Sequence, residues 1–170
     1  MDRTNVLHRR GVLLVVGVAL ALAVVLAGVA VATPTGQTLV VADAETGERY
    51  LSQPVDDGST VALEYTHSVE QSRVYDEYRI EGGTLVNTRM EFESYGWGLP
   101  ARVNVTIENG TLVYDPAEPI TELETLRVSP GRIAGHTLII DGHRYDLVAE
   151  TDARDVRIYV ERGTLAELFT

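Results

Sequence analysis

The residues best suited to chemistry lie between Tyr65 and Pro100. His67, Ser68 and Glu70 stand within one short stretch, Asp76 and Glu77 follow in the next run, and Trp97 sits between Gly96 and Gly98. Read as a hydrolytic site, His67 would be the base, Ser68 the nucleophile, and Asp76 or Glu77 the group that orients the base. Adjacent strand residues point to opposite faces, so His67 does not readily reach Ser68. No G-x-S-x-G turn is present to expose a serine. Read as a metal site, His67, Glu70 and Asp76 offer a mixed nitrogen and oxygen set, but no H-E-x-x-H or paired cysteine spacing supports it. The pattern argues against an enzyme and calls for neither a metal nor any other cofactor. Two readings remain. One is a recognition site drawn from His67, Ser68, Glu70, Asp76, Glu77 and Trp97; the other is a polar cluster that fixes a hairpin.

Those residues need a scaffold, and the alternation around them predicts strands. Thr60–Thr66 alternates with Val61, Leu63 and Tyr65 on one face, and Val74, Tyr78 and Ile80 do the same in the following run. Paired as a hairpin with Tyr65 near Asp76 and Leu63 near Tyr78, the strands place His67 diagonal to Asp76. Such neighbours lie about 7–8 Å apart by Cα, within reach of a charge-assisted pair. Ser68 and Glu70 fall in the connecting loop. Trp97 either plugs one end of the core or stands out as a binding anchor.

Further short runs, broken by turn signals, make the whole an all-β chain: a compact antiparallel sandwich or barrel-like meander. Strands are expected at Thr38–Ala42, Thr84–Ser94, Arg102–Ile107, His136–Ile140, His143–Val148 and Asp155–Val160. Asn109-Gly110 and Asp141-Gly142 tolerate the positive φ of a type I′ hairpin turn. Ile120, Leu123 and Leu126 are spaced by three, which predicts a short helix within Pro116–Pro130, before a strand around Arg127-Val128. A helical turn capped by Thr164 is expected at the C-terminus. His136 and His143 are expected to face solvent.

The N-terminal part is of another kind. Gly11–Ala32 contains no charged or polar side chain. As a helix, at about 1.5 Å per residue, it is about 33 Å long, enough to cross a bilayer core. Arg3, Arg9 and Arg10 precede it, which keeps the N-terminus cytoplasmic and sends the rest outside. Residues 1–10 read as a cytoplasmic tail, 11–32 as a single-pass anchor in the cell membrane, 33–36 as a linker and 37–170 as an extracytoplasmic β domain. Ala30-Val31-Ala32 resembles a signal-peptidase site, so secretion after cleavage is the alternative. The chain has no cysteine and no lysine, and its net charge is −11. An anionic surface of this kind argues against nucleic acid as a partner, and the composition resembles that of salt-loving proteomes. Two sequons, Asn104-Val105-Thr106 and Asn109-Gly110-Thr111, are candidate glycosylation sites in an exported chain.

Taken together, YTHSVEQSRVYDEYRIEGGTLV and FESYGWGLP resemble a bacterial and archaeal family, domain of unknown function 1850. The matching features are His67-Ser68-Val69-Glu70, the strand Val74–Tyr78 and the segment Ser94–Pro100, within a resemblance covering roughly residues 38–148. Arg73 stands where many members have proline, and Trp97 where many have a small residue. The resemblance implies no biochemical activity. It implies a context: small exported proteins encoded beside tripartite, TRAP-type solute transporters. The partner it suggests is a transporter permease or a solute-receptor subunit.

Overall fold

β-branched and aromatic residues alternating with polar ones form strands along most of the chain that the structure describes. The structure is a computed structural model, and it describes residues 34–94 and 104–164. The expected anchor Gly11–Ala32, the Trp97 loop, His8 and the helical turn after Thr164 lie outside these residues. Among the described residues no helix is long and apolar enough to cross a membrane.

The strands are β1 Pro34–Asp43, β2 Arg49–Val55, β3 Thr60–Thr66, β4 Arg73–Glu81, β5 Thr84–Phe92, β6 Thr106–Glu108, β7 Thr111–Tyr114, β8 Thr121–Leu123, β9 Thr125–Val128, β10 Thr137–Ile140, β11 His143–Asp146 and β12 Val156–Thr164. One short helix, α1 Leu147–Thr151, joins β11 to β12. The smaller sheet has the order β2-β1-β12-β9. The larger runs β11-β10-β3-β4-β5-β7-β6, with β8 also on β5. Leu39, Val41 and Ile158 from the first sheet and Val61, Leu63, Ile80, Leu85 and Leu138 from the second form one buried cluster. The two sheets therefore share a core, as in a sandwich. Each fully buried Leu or Ile contributes about 1.5–3 kcal/mol. Almost all of this lies in the compact unit Gly36–Arg162.

Several elements depart from expectation. No helix forms at Ile120–Leu126; β8 and β9 do instead. The chain leaves the larger sheet at Leu123, turns at Glu124 and enters the smaller sheet at Thr125. Leu123 and Leu126 both pack against the shared core. One turn residue between two period-2 strands thus produces a spacing of three. The strand expected to reach Val148 stops at Asp146, whose carboxylate accepts the N–H groups of Val148 (2.9 Å) and Ala149 (3.1 Å) and caps α1. β1 begins at Pro34, inside the expected linker, and β12 runs on past Val160 to Thr164.

Two hairpins form as expected, with positive φ at Asn109 and Gly110 and at Asp141 and Gly142. Gly82 and Gly83 make the same turn between β4 and β5, at φ 57° and 82°.

Candidate functional site

The motif residues gather at one end of the larger sheet. The last β3–β4 pair is Thr66–Arg73, and His67 to Ser72 form the turn beyond it. The His67 N–H donates to the Ser72 carbonyl (2.8 Å), and the Gln71 N–H donates to the His67 carbonyl (2.9 Å). His67 Nδ1 accepts the Glu70 N–H at 3.3 Å, and Gln71 Nε2 donates to the Ser68 carbonyl at 2.6 Å. Gln71 takes φ 53°, the left-handed conformation that closes the turn. Ser68, Val69 and Glu70 are exposed on its outer side. The Ser72 and Ser94 hydroxyls bond at 2.8 Å, fixing the turn to the end of β5.

A second turn abuts the first. The Thr66 N–H donates to the Ala134 carbonyl at 2.7 Å. The Tyr65 ring stacks on His136 with centroids 5.0 Å apart and planes 12° from parallel. His136 is therefore half-buried rather than solvent-facing, because β10 beside β3 brings it over Tyr65; burial lowers its pKa. His143 is exposed. Val69 on the first turn is 69% exposed and Ile133 on the second 82%. The Asn109-Gly110 turn lies at the same end, since β7 pairs Leu112 with Phe92 at the end of β5. Asn104 and Asn109 are both exposed.

Beneath this end lies a buried polar cluster. The β3–β4 register pairs Leu63 with Asp76 and Val61 with Tyr78. That is two residues from the expected pairing, because the turn closes at His67 and Ser72. A slip of two keeps inward residues inward, whereas a slip of one would reverse them. Asp76 thus faces the core between Val74 and Tyr78 and is only 8% exposed. Its Oδ2 accepts a long bond from the Tyr65 hydroxyl, 3.4 Å. Its Oδ1 has no partner among the described residues. Burial pushes the carboxyl up to about 6, against a smaller opposing effect of the Tyr65 bond. Tyr78 rises to about 12 through burial and the Asp76 charge, and the Asn87 side chain bonds its hydroxyl. Asn87 is 4% exposed, and its Oδ1 also lacks a partner. A β-bulge sits here, with Thr88 as the extra residue of β5.

Asp43 is a useful contrast. It is equally buried, at 1% exposure, yet its carboxylate accepts from the Glu45 and Thr46 N–H groups, the Tyr50 hydroxyl and Arg154 Nε. The Thr46 N–H leads the contributions that hold it well below the usual carboxylate range. Asp76 has no such set.

Glu77 lies on the opposite face from Asp76, where its Oε2 accepts from the Tyr75 hydroxyl at 3.2 Å. An ion-pair ladder crosses that outer face. Arg144 bonds Glu64, and Arg73 bonds both Glu64 (2.9 Å) and Glu91 (3.0 Å). Arg89 then bonds Glu91 (3.0 Å), Glu108 (3.2 Å) and Asp115 (3.4 Å). Burial raises Glu64 and Glu91, but the arginine bonds outweigh it and leave both lowered. A groove of about 270 Å³ lies nearer the Gly82-Gly83 turn, between Arg79, Glu81 and the loop Asp115–Pro119.

Of the residues singled out from sequence, His67, Ser68 and Glu70 share one turn, Asp76 lies below in the core, and Glu77 is on the far face. Trp97 lies outside the described residues. Among the described residues no three His, Cys, Asp or Glu side chains are arranged to hold a metal ion. Tyr65 and Tyr78, expected on this inward face, complete the cluster together with Asn87 and His136, which were not expected there.

The family described as Domain of unknown function (DUF1850) matches residues 61–147, from β3 to the first residue of α1. The chain belongs to this family. Comparison with curated proteins and with solved structures returns no match. The DUF1850 segment holds every strand of the larger sheet together with β9; β1, β2 and β12 of the smaller sheet fall outside it. The matched segment thus spans the sheet that carries the turn end and the buried cluster.

Proposed function

We propose that this DUF1850 chain is a non-enzymatic, membrane-anchored accessory domain that docks on a protein partner through the turn end of its larger sheet. The observation that carries the reading is the exposure of Val69 and Ile133 on two turns joined by the Thr66–Ala134 bond. Apolar side chains held out on braced turns are suited to a partner's pockets, because the ordering cost of docking is already met in the free chain. The uncharged run Gly11–Ala32 supplies the anchor and the extracytoplasmic placement. The gene context implied by the family resemblance supplies the class of partner: a permease or receptor subunit of a TRAP-type uptake system.

The test is co-purification from native membranes of wild type, a Val69→Glu plus Ile133→Glu variant, and an Ile107→Glu control. The expected result is a transporter subunit with wild type and control, reduced at least tenfold with the double variant. Recovery of the same partners with all three would refute docking at this end.

The orphan oxygens of Asp76 and Asn87 favour a second reading, a small-ligand or ion-binding module. Its test is a melting-temperature screen against metal ions and organic acids. A shift that Asp76→Asn abolishes would select it.

A further inference from the structure

Two sequons bracket β6. Asn104-Val105-Thr106 ends where the strand begins, and Asn109-Gly110-Thr111 forms the turn that closes it. β6 is the last strand of the larger sheet and, among the described residues, pairs with β7 alone, so no described strand lies on its outer edge. All three of its residues are exposed, and Ile107 at its centre is 73% exposed. Edge strands ordinarily deter pairing with other chains by a free charge or a proline. β6 has no proline, and its one charge, Glu108, is bonded to Arg89. Beyond its shortness, the strand's own residues carry none of the usual protection.

We propose that Asn109 carries an N-linked glycan that covers the β6 edge and Ile107. The side chain is exposed at a turn tip with φ 51°, and the following Gly110 presents no side chain and open space around it. In the transfer, the Asn109 amide nitrogen bonds the anomeric carbon of a sugar. That carbon's bond to the phosphate of a lipid-linked oligosaccharide donor breaks, the phosphate leaves with the electron pair, and the amide proton passes to a base of the transferase. β6 lies three strands from β4 in the sheet order. At about 4.8 Å per strand this is roughly 14 Å, so the sugar would confine docking to the β10–β3–β4 side of the same end. The inference rests on the extracytoplasmic placement proposed above.

The experiment is mass analysis of the full-length chain from its native host, with protease accessibility of the domain in intact cells measured in parallel. Cleavage at arginine yields one peptide, residues 103–127, holding both asparagines. The expected peptide mass is raised by a glycan located on Asn109, and either Asn109→Gln or Thr111→Ala removes it. Asn109→Gln should also shift the purified chain toward oligomers on size exclusion. An unmodified peptide from an accessible domain overturns the glycan and leaves export standing; an unmodified, inaccessible domain overturns both. Sugar on Asn104 alone overturns the Asn109 assignment, and a monomeric Asn109→Gln chain overturns the shielding role.

Discussion

Replacing Asp76 with asparagine should stabilise the chain at neutral pH and leave it almost unchanged in mild acid. The carboxyl stands at about 6 in the folded chain against 3.8 for an unperturbed aspartate, with burial as the main cause. The folded state therefore holds its proton over a pH range in which the unfolded state has released it. Between those two values, stability falls as pH rises, and above about 6 the loss is complete. At about 1.36 kcal/mol per pH unit, the ionised carboxylate costs the fold about 3 kcal/mol. The substituted amide carries no charge to desolvate. A gain of about 3 kcal/mol corresponds to roughly 6–12 °C in melting temperature for a domain of this size. The assay is thermal unfolding of both chains in mild detergent from pH 4 to 8. The difference between the two curves is the informative quantity, because other titrating groups cancel in it. It should be small at pH 4, reach half its height near pH 5, midway between the unfolded and folded values, and level off by about pH 7. A flat difference curve, or a variant less stable at pH 8, would refute the reasoning and show Asp76 to be compensated.

Asp43 should behave in the opposite sense. Its folded value is depressed, so its stabilisation is present above 3.8 and is lost as pH falls toward the folded value. Asp43→Asn should lower the melting temperature at pH 7 and narrow the gap to wild type below pH 3, read by the same assay. Arg73→Ala should cost about 1 kcal/mol in dilute buffer and less in molar salt, because its side chain is 38% exposed and its pairs with Glu64 and Glu91 are screened; urea titrations at two salt concentrations check this. The docking and glycan predictions above are independent of these three, since Val69, Ile133 and Asn109 take no part in the ladder or the buried cluster.

Most of the strands were legible because their side chains alternate, and the Asn109-Gly110 and Asp141-Gly142 turns because of their residue types. The helix expected around Leu123 failed for a physical reason. Apolar spacing of three arises from a helix or from two strands broken by one residue, and the sequence does not say which sheet each half joins. The buried cluster was half legible. In Val74-x-Asp76-x-Tyr78-x-Ile80, Asp76 occupies an inward slot, and an acid in such a slot signals an unusual carboxyl. His136 could not be placed on Tyr65 from sequence, because that contact depends on β10 pairing with β3 across more than sixty positions. Register was harder still: a turn from His67 to Ser72 and one two residues longer leave the same faces inward.

The larger sheet offers a partner three surfaces, and they are not equally available. Its inner face is taken up by the core it shares with the smaller sheet. On its outer face the guanidinium groups of Arg73 and Arg89 and the carboxylates of Glu64 and Glu91 already bond one another. A partner docking there would have to break those bonds or desolvate charges already paired, and either costs free energy. At the turn end the position is reversed. The N–H groups of His67, Glu70 and Gln71 are bonded within the His67–Ser72 turn, and Val69 and Ile133 remain in water, where covering them is favourable. The acids beside them, Glu70 and Glu93, are exposed and form no ion pair among the described residues. They would face a partner as a negative rim around an apolar centre, an arrangement that favours a basic, shallow recess on the other side. A partner surface that is acidic or flat and polar would not fit this end.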